Sequence, residues 1–297
     1  MTDPITDVSD LIQLLEIEQL ELDLFRGQGA GGETSMRIFG GQVIAQALRA
    51  AYRTVEGRLC HSLHAYFIRP GDPSIPVIYQ TDRARDGGSF TTRRVVAIQH
   101  GRQIFNMAAS FHINEPGFDH QHPMPAVPEP ETLPTREELR EAYRDRVPER
   151  LRDRFFRKSP VDLRAVAPRD LFDPEPVSDV NHLWFRIPGS ESADTAMHHC
   201  LLSYASDFNL LGSSLRPHGA TWFTGKVMTA SLDHAMWFHE PLNFADWHLY
   251  TMDAPFTGGA RGFNRGTIYT REGRLVASVA QEGLVRPLKT NSGSSAR

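Results

Sequence analysis

The sequence predicts an α+β protein built as two tandem units, each a long central helix wrapped by an antiparallel sheet. Three observations carry this. The chain repeats itself. Shifted by 171 residues, it matches at Phe67/Phe238, Pro70/Pro241, Tyr79/Tyr250, Asp82/Asp253, Gly87/Gly258, Gly88/Gly259 and Arg94/Arg265. Chance would give about two identities in a window of this length at ordinary residue frequencies. After one inserted residue the match resumes at Gly101/Gly273, Arg102/Arg274 and Ala108/Ala280. A repeat this long is a duplicated domain and not a solenoid unit. Each copy also reads as one long helix followed by about four strands. Finally, 297 residues suffice for two units that each bury a core.

The elements follow in order. Residues 8–20 have Leu11, Leu14, Leu15 and Ile17 at helical spacing behind Ser9, a capping residue, and predict an amphipathic helix. LDLFRGQ is a short strand running into the glycine-rich GQGAGGE loop. GGQVIAQALRAAYRTV, from Gly40, is the strongest helix of the first copy. Its small residues allow close packing on a sheet. Then come strands LCHSLHAYFIR, PVIYQTDRAR, SFTTRRVVAIQH and RQIFNMAASFHI, the last two joined at His100-Gly101. Six prolines within residues 114–134 predict a linker over the surface, and TREELREAYRDRVPERLRDRFFRK reads as a solvated helix face. The second copy has strands VDLRAVAP and HLWFRIP, helix TAMHHCLLSYASDFNLL, then TASLDHAMWFHEP, WHLYTMDAP, RGFNRGTIYTRE and RLVASVAQEGLVR as strands. The domain reading is an N-terminal unit at 8–115, a proline-rich and charged linker at 116–158 and a C-terminal unit at 159–288. A sheet that wraps one helix buries it all round. Two such units side by side make the arrangement called a double hotdog.

Composition narrows the function. A net charge of -4 argues against a general nucleic-acid-binding surface. Two cysteines, Cys60 and Cys200, exclude a disulfide framework and favour a reducing compartment. The N-terminal MTDPITDVSD lacks the basic and apolar regions of a secretory leader, and no apolar run is long enough to span a membrane, so a cytoplasmic location is expected. The tail KTNSGSSAR is polar, is expected to fray, and does not end in Ser-Lys-Leu.

Where the copies differ, the second carries polar groups. Ser231 falls opposite Cys60, and Gln281 opposite Ala109. Asp207 stands late in the second long helix, after Leu201, Leu202, Tyr204 and Ala205. Each alone also reads as an ordinary residue: a helix-end aspartate, a strand serine, an inward glutamine whose amide needs a partner. Together, a carboxylate, a hydroxyl and an amide can hold and deprotonate a water. One site per chain, in the C-terminal copy, is the expectation.

The strings FGGQVIAQAL, HSLHAYFIRPGD, YASDFNLL, SLDHAMWFH, ARGFNRGTIYT and SVAQEGLVR resemble the acyl-CoA thioesterase II family, the double-hotdog acyl-CoA hydrolases. The resemblance runs from about Leu11 to Arg286. It implies hydrolysis of fatty acyl-CoA to a free acid and coenzyme A, with no cofactor and no metal, in a homo-oligomer (dimer or tetramer). It places the catalytic set on Asp207, Ser231 and Gln281 and adds His61 as a possible active-site residue. Bacterial members often carry threonine at the position of Ser231, and serine keeps the hydroxyl but loses the methyl that restricts its rotamer. Phe208, Leu211, Met236 and Trp237 are candidate lining for the acyl chain, with plain core as the alternative. Arg37, Arg261 and Arg265 are candidates for the coenzyme's phosphates.

Other signals are weaker. The G-x-G-x-x-G of Gly27–Gly32 is followed by a poor helix start, which argues against a dinucleotide site. No G-x-S-x-G string occurs. His61/His64, His120/His122 and His198/His199 lack full zinc ligand sets. Asp207-x-Asn209 resembles part of the enoyl-CoA hydratase motif of hotdog proteins, but Gly212 stands where its histidine belongs. The non-enzymatic alternative is an acyl-CoA-binding module without turnover.

Overall fold

The computed structural model describes residues 5–29 and 37–288. The first half holds α1 (Val8–Leu15), β1 (Glu18–Glu21), β2 (Leu24–Gly27), α2 (Gly40–Tyr52), β3 (Leu59–Phe67), β4 (Val77–Asp86), β5 (Phe90–Gln99) and β6 (Arg102–His112). A connecting segment carries the short helices α3 (Arg136–Glu141) and α4 (Arg152–Phe155). The second half holds β7 (Asp162–Ala165), β8 (Asn181–Arg186), α5 (Thr195–Ser206), β9 (Val227–Ser231), β10 (Asp233–Phe238), β11 (His248–Gly258), β12 (Arg261–Thr270) and β13 (Leu275–Pro287). Most of the glycine-rich loop, from Ala30, and the tail from Lys289 lie outside the described residues.

All thirteen strands join one antiparallel sheet in the order β1-β2-β4-β5-β6-β3-β10-β13-β12-β11-β8-β7, with β9 pairing to β13. The order reads alike from either end, and the halves meet at β3–β10. The repeat offset recurs in the ladder register. Asp82 faces Arg94 in the first half and Asp253 faces Arg265 in the second. At the central seam Leu63 pairs with Met236 and Ala65 with His234, two pairings related by the same offset. This is the double hotdog.

Both central helices are buried all round. Eleven of the thirteen residues of α2 and ten of the twelve of α5 are buried. Such a helix must satisfy its polar side chains internally. Gln46 of α2 does so by donating to the Leu14 carbonyl at 2.7 Å and accepting from the Tyr79 hydroxyl at 2.7 Å. The first turn of α2 presses on the end of α5. A methyl group at Gly41 would collide with the Tyr204 carbonyl oxygen, and one at Gly40 would lie 2.7 Å from Asp207 Oδ2.

Three expectations need correction. The first helix stops at Leu15, because Glu16 turns extended and Glu18–Glu21 pairs with β2 as a strand. The run TASLDHAMWFHEP is two strands broken at Leu232, whose N–H still bonds the Glu282 carbonyl at 3.0 Å. The connecting segment is more than a solvated linker. Its first part covers the cluster of Trp184, Trp247, Leu249 and Tyr269 with Met124, Val127 and Leu133, and the Trp184 indole donates to the Pro128 carbonyl at 2.9 Å. Its second part buries Phe155 among Tyr143, Phe172 and Phe223.

Two outcomes follow for stability. Gly41→Ala forces α2 off α5 against rigid backbone, so the chemical denaturation midpoint should fall by the equivalent of about 1–3 kcal/mol. An unchanged midpoint would mean the contact relaxes freely. Second, His199, His234 and His248 are buried, and burial holds all three imidazole pKa values down, His199 to about 3. The unfolded chain takes up these protons near pH ~6.5 while the folded chain does not, so stability falls as pH drops below that value. Midpoints measured between about pH 7 and pH 5 should decline, less steeply in His199→Phe. A flat profile would show that these imidazoles accept protons in place.

Candidate active site

The site begins where the two helices meet. Tyr204, Ala205 and Ser206 close α5, and Asp207 is its C-terminal cap. The Tyr250 hydroxyl donates to the Ser206 carbonyl at 2.9 Å. Asn209 then takes the left-handed conformation, with φ 62°, which turns the chain out of the helix. Asp207 is thereby aimed at the first turn of α2, where Gly41 N–H donates to its Oδ2 at 3.1 Å. Its other oxygen, Oδ1, accepts from the Gln281 amide at 2.7 Å and the Ser231 hydroxyl at 3.3 Å. Ser231 ends β9, opposite Gly283 of β13, and Gln281 lies two residues earlier on β13. The structure thus brings Asp207, Ser231 and Gln281 together from one helix and two strands.

Asp207 and Ser231 lie on the wall of a cavity of about 910 Å³. Gln281 does not reach that wall. It is fully buried behind the carboxylate, which it grips. The cavity draws on both halves. Phe39, Gly40, Val43, Phe67 and Ile104 come from the first, and Leu163, Leu183, Phe208 and Leu211 from the second. The connecting segment adds Leu139, Tyr143 and Phe155. Arginines 37, 69, 136, 140, 169 and 216 also line it, against the single carboxylate of Asp207 among the described residues. Arg169 donates to the Ala220 carbonyl at 2.7 Å, and Arg216 to the Ser178 carbonyl at 2.8 Å and Asn181 Oδ1 at 3.3 Å, all neutral acceptors. Burial lowers the pKa of both guanidinium groups, and Arg216 lowers that of Arg169 further.

Several candidates fall elsewhere. His61 is the bulged residue of β3, between Cys60 and Ser62, and its Nε2 meets Ser110 Oγ at 2.8 Å. Its ring packs on Phe90 and His112, on the sheet face turned away from the helices, so it has no part in the Asp207 cluster. Arg261 and Arg265 pair with Glu282 and Asp253 at 2.9 and 2.7 Å and do not line the cavity. Of the proposed acyl lining, Phe208 and Leu211 are on the wall. Met236 is instead core beneath Ser203, and Trp237 stands edge-on to His64 across the seam.

Two contributors escaped the sequence reading. Gly40–Gly41 comes from the other copy, and only its place at the start of a helix could have flagged it. His234 is fully buried on β10, with Nδ1 3.2 Å from Gln281 Nε2. Its signal was the alternation His234, Met236, Phe238, all three of which face inward.

The corresponding corner of the first half carries a different set of side chains. By the repeat offset, Cys60, Leu63 and Ala109 stand where the second half has Ser231, His234 and Gln281. The end of α2 is followed by Arg53 and Thr54 in place of Asp207 and Phe208. Arg93 is 1% exposed and donates to Thr54 Oγ1 at 2.8 Å, the Thr54 carbonyl at 3.0 Å and Asp86 Oδ1 at 2.6 Å. Its side chain places a buried cation in this corner, beside a smaller, polar cavity of about 450 Å³ lined by Arg53, Thr54, Glu56 and Asp86.

Similarity to known proteins spans both halves. The family model for the acyl-CoA thioesterase N-terminal domain matches residues 31–112, and that for acyl-CoA thioesterase matches residues 150–284. Acyl-CoA thioesterase 2 of Haemophilus influenzae is 36% identical, over 94% of this chain and 98% of its own length. Acyl-coenzyme A thioesterase 8 of Mus musculus is 40% identical, over 92% of this chain and 88% of its own. The crystal structure of an acyl-CoA thioesterase II from Mycobacterium marinum superposes with a TM-score of 0.76 at 41% identity, covering 93% of this chain and 98% of that one. Matched in both halves by its domain models and to relatives of this identity along nearly its whole length, the chain belongs to the acyl-CoA thioesterase II family.

Proposed function

We propose that the chain hydrolyses fatty acyl-CoA to a free fatty acid and coenzyme A by attack of a water deprotonated by Asp207. The observation that carries this is the Asp207 carboxylate on the wall of a largely apolar cavity, held by three donors. A carboxylate offers about four acceptor positions. Oδ1 receives two bonds and Oδ2 one, so Oδ2 keeps a lone pair for the proton of a water in the cavity. The cavity volume falls in the range of ordinary small-molecule sites and admits an acyl chain with its thioester.

The step balances simply. Water oxygen bonds to the thioester carbonyl carbon as its proton passes to Asp207. The tetrahedral intermediate then expels the coenzyme thiolate, which takes the proton back. Thiolate is a good leaving group, so no covalent enzyme intermediate is required. Ser231, at 3.3 Å from Oδ1, can rotate its hydroxyl to the water, while Gln281 holds the carboxylate in place. The positive end of α2 faces the same corner, where it favours the charge that develops on the carbonyl oxygen. In this reading the unit 159–288 supplies the three reacting side chains and the unit 8–115 supplies the helix end. The arginines on the wall would draw the coenzyme's phosphates, in place of the pair Arg261 and Arg265.

Thiol release from a panel of acyl-CoAs of graded chain length tests the reading. Asp207→Asn should lose about 10²–10⁴-fold in kcat while remaining folded. Ser231→Ala should lose about tenfold, the worth of one hydrogen bond. A single turnover in oxygen-18 water should label the fatty acid and leave Asp207 unlabelled. Label in Asp207 would replace direct attack with an anhydride, and a parent protein that binds acyl-CoA but releases no thiol would make it a binding module.

The electrostatic part has its own test. Arg169→Gln and Arg216→Gln should raise KM for acyl-CoA, leave kcat nearly unchanged and flatten the dependence of KM on ionic strength. Unaltered KM and salt dependence in both would place the phosphates elsewhere.

A further inference from the structure

We propose that His234 is a positioning residue for the reaction, locking the Gln281 side-chain amide, through a fixed imidazole tautomer, in the orientation that grips Asp207. The inference rests on the Asp207–Ser231–Gln281 reading above and extends it by one layer. Hydrogen-bond directions along the chain leave a single consistent assignment. The Ser203 carbonyl can only accept, so the Ser206 hydroxyl at 2.9 Å donates to it. With its hydrogen committed, Ser206 Oγ accepts from His234 Nε2, 3.0 Å away. A neutral imidazole that carries its proton on Nε2 has a bare Nδ1, which accepts from Gln281 Nε2 at 3.2 Å. The second hydrogen of that amide goes to Asp207 Oδ1 at 2.7 Å.

A flipped amide would set Oε1 against both the Asp207 carboxylate and the bare Nδ1, two acceptors with no hydrogen between them. The flip is therefore opposed twice. His234 is 0% exposed, so no solvent can supply the missing hydrogen. Burial also holds the imidazole neutral, although the nearby Asp207 carboxylate pulls the other way. Cation formation would turn Nδ1 into a donor facing another donor. His234 does not line the cavity, so its effect reaches the substrate only through Gln281 and Asp207.

The test compares His234→Leu, His234→Asn and Gln281→Leu in the full chain by acyl-CoA thiol release, with nitrogen NMR of the labelled parent. His234→Leu removes the acceptor and should lower kcat about 10²-fold with KM unchanged. Asn places an oxygen near the position of Nδ1, so His234→Asn should recover much of that loss. The NMR signals of His234 should show protonated Nε2 and bare Nδ1. Full kcat in a folded His234→Leu, or the opposite tautomer, would overturn the proposal, and the tautomer is readable even if a variant fails to fold. If Gln281→Leu keeps full kcat, the reading of Gln281 itself has failed. If Gln281→Leu is impaired and His234→Leu is not, only the present inference has.

Discussion

The contact between the first turn of α2 and the last turn of α5 sets the geometry of everything around Asp207. Asp207 stands at the C-terminal, negative end of its own helix, an unfavourable place for a carboxylate, and at the positive N-terminal end of α2, a favourable one. Each such helix-end effect is worth roughly 0.3–1 kcal/mol, so the two nearly cancel. Hydrogen bonds to a charged group are worth about 1.5–3 kcal/mol each, and Asp207 has three partners. Those bonds therefore decide where the carboxylate sits. One of the donors, the Gly41 N–H, reaches it only because two residues without side chains let the helices approach, Gly40 beside Oδ2 and Gly41 against the Tyr204 carbonyl.

Duplication explains why the Asp207 cluster draws on both halves although its three side chains come from one. A pseudo-twofold arrangement brings the start of each central helix to the end of the other. In one of the two corners the chain has an aspartate, a serine, a glutamine and a histidine. In the other it has apolar or weakly polar residues and the buried guanidinium of Arg93, which donates to Thr54, Asp86 and the Arg85 and Thr92 carbonyls. A buried cation tied to carbonyl, hydroxyl and carboxylate oxygens sits in that corner, where no counterpart of Asp207 follows the helix.

The connecting segment joins the site as much as it joins the halves. Proline-rich chain lies along the outer face of the second half, satisfying the Trp184 indole and the ladder end at Leu275 through Pro128 and Gln121. The charged stretch after it then turns Leu139, Tyr143 and Phe155 into the cavity wall. Arg136 and Arg140 join that wall, while others of its arginines lie over aromatic rings, as Arg146 does over Tyr143 and Phe172. Within α3, apolar Leu139 and charged Arg136 and Arg140 thus face the same cavity.

The repeat offset, legible in the chain alone, pointed to the double sheet, and the structure shows the same offset in its register, because similar strands pair alike in both halves. The resemblance of the chain's motif strings to one family singled out Asp207, Ser231 and Gln281, which local pattern alone leaves as a helix-end aspartate, a strand serine and an inward glutamine. Tertiary structure decided the rest. His61 was unreadable because a bulge between Cys60 and Ser62 breaks the alternation that assigns side chains to faces, and one residue of slip moves a side chain across the sheet. Gly40–Gly41 and His234 were hidden for a different reason. Their roles are contacts with Asp207 and Gln281, far away in sequence, and a hydrogen-bond partner is chosen by distance and direction, which no single strand or helix contains.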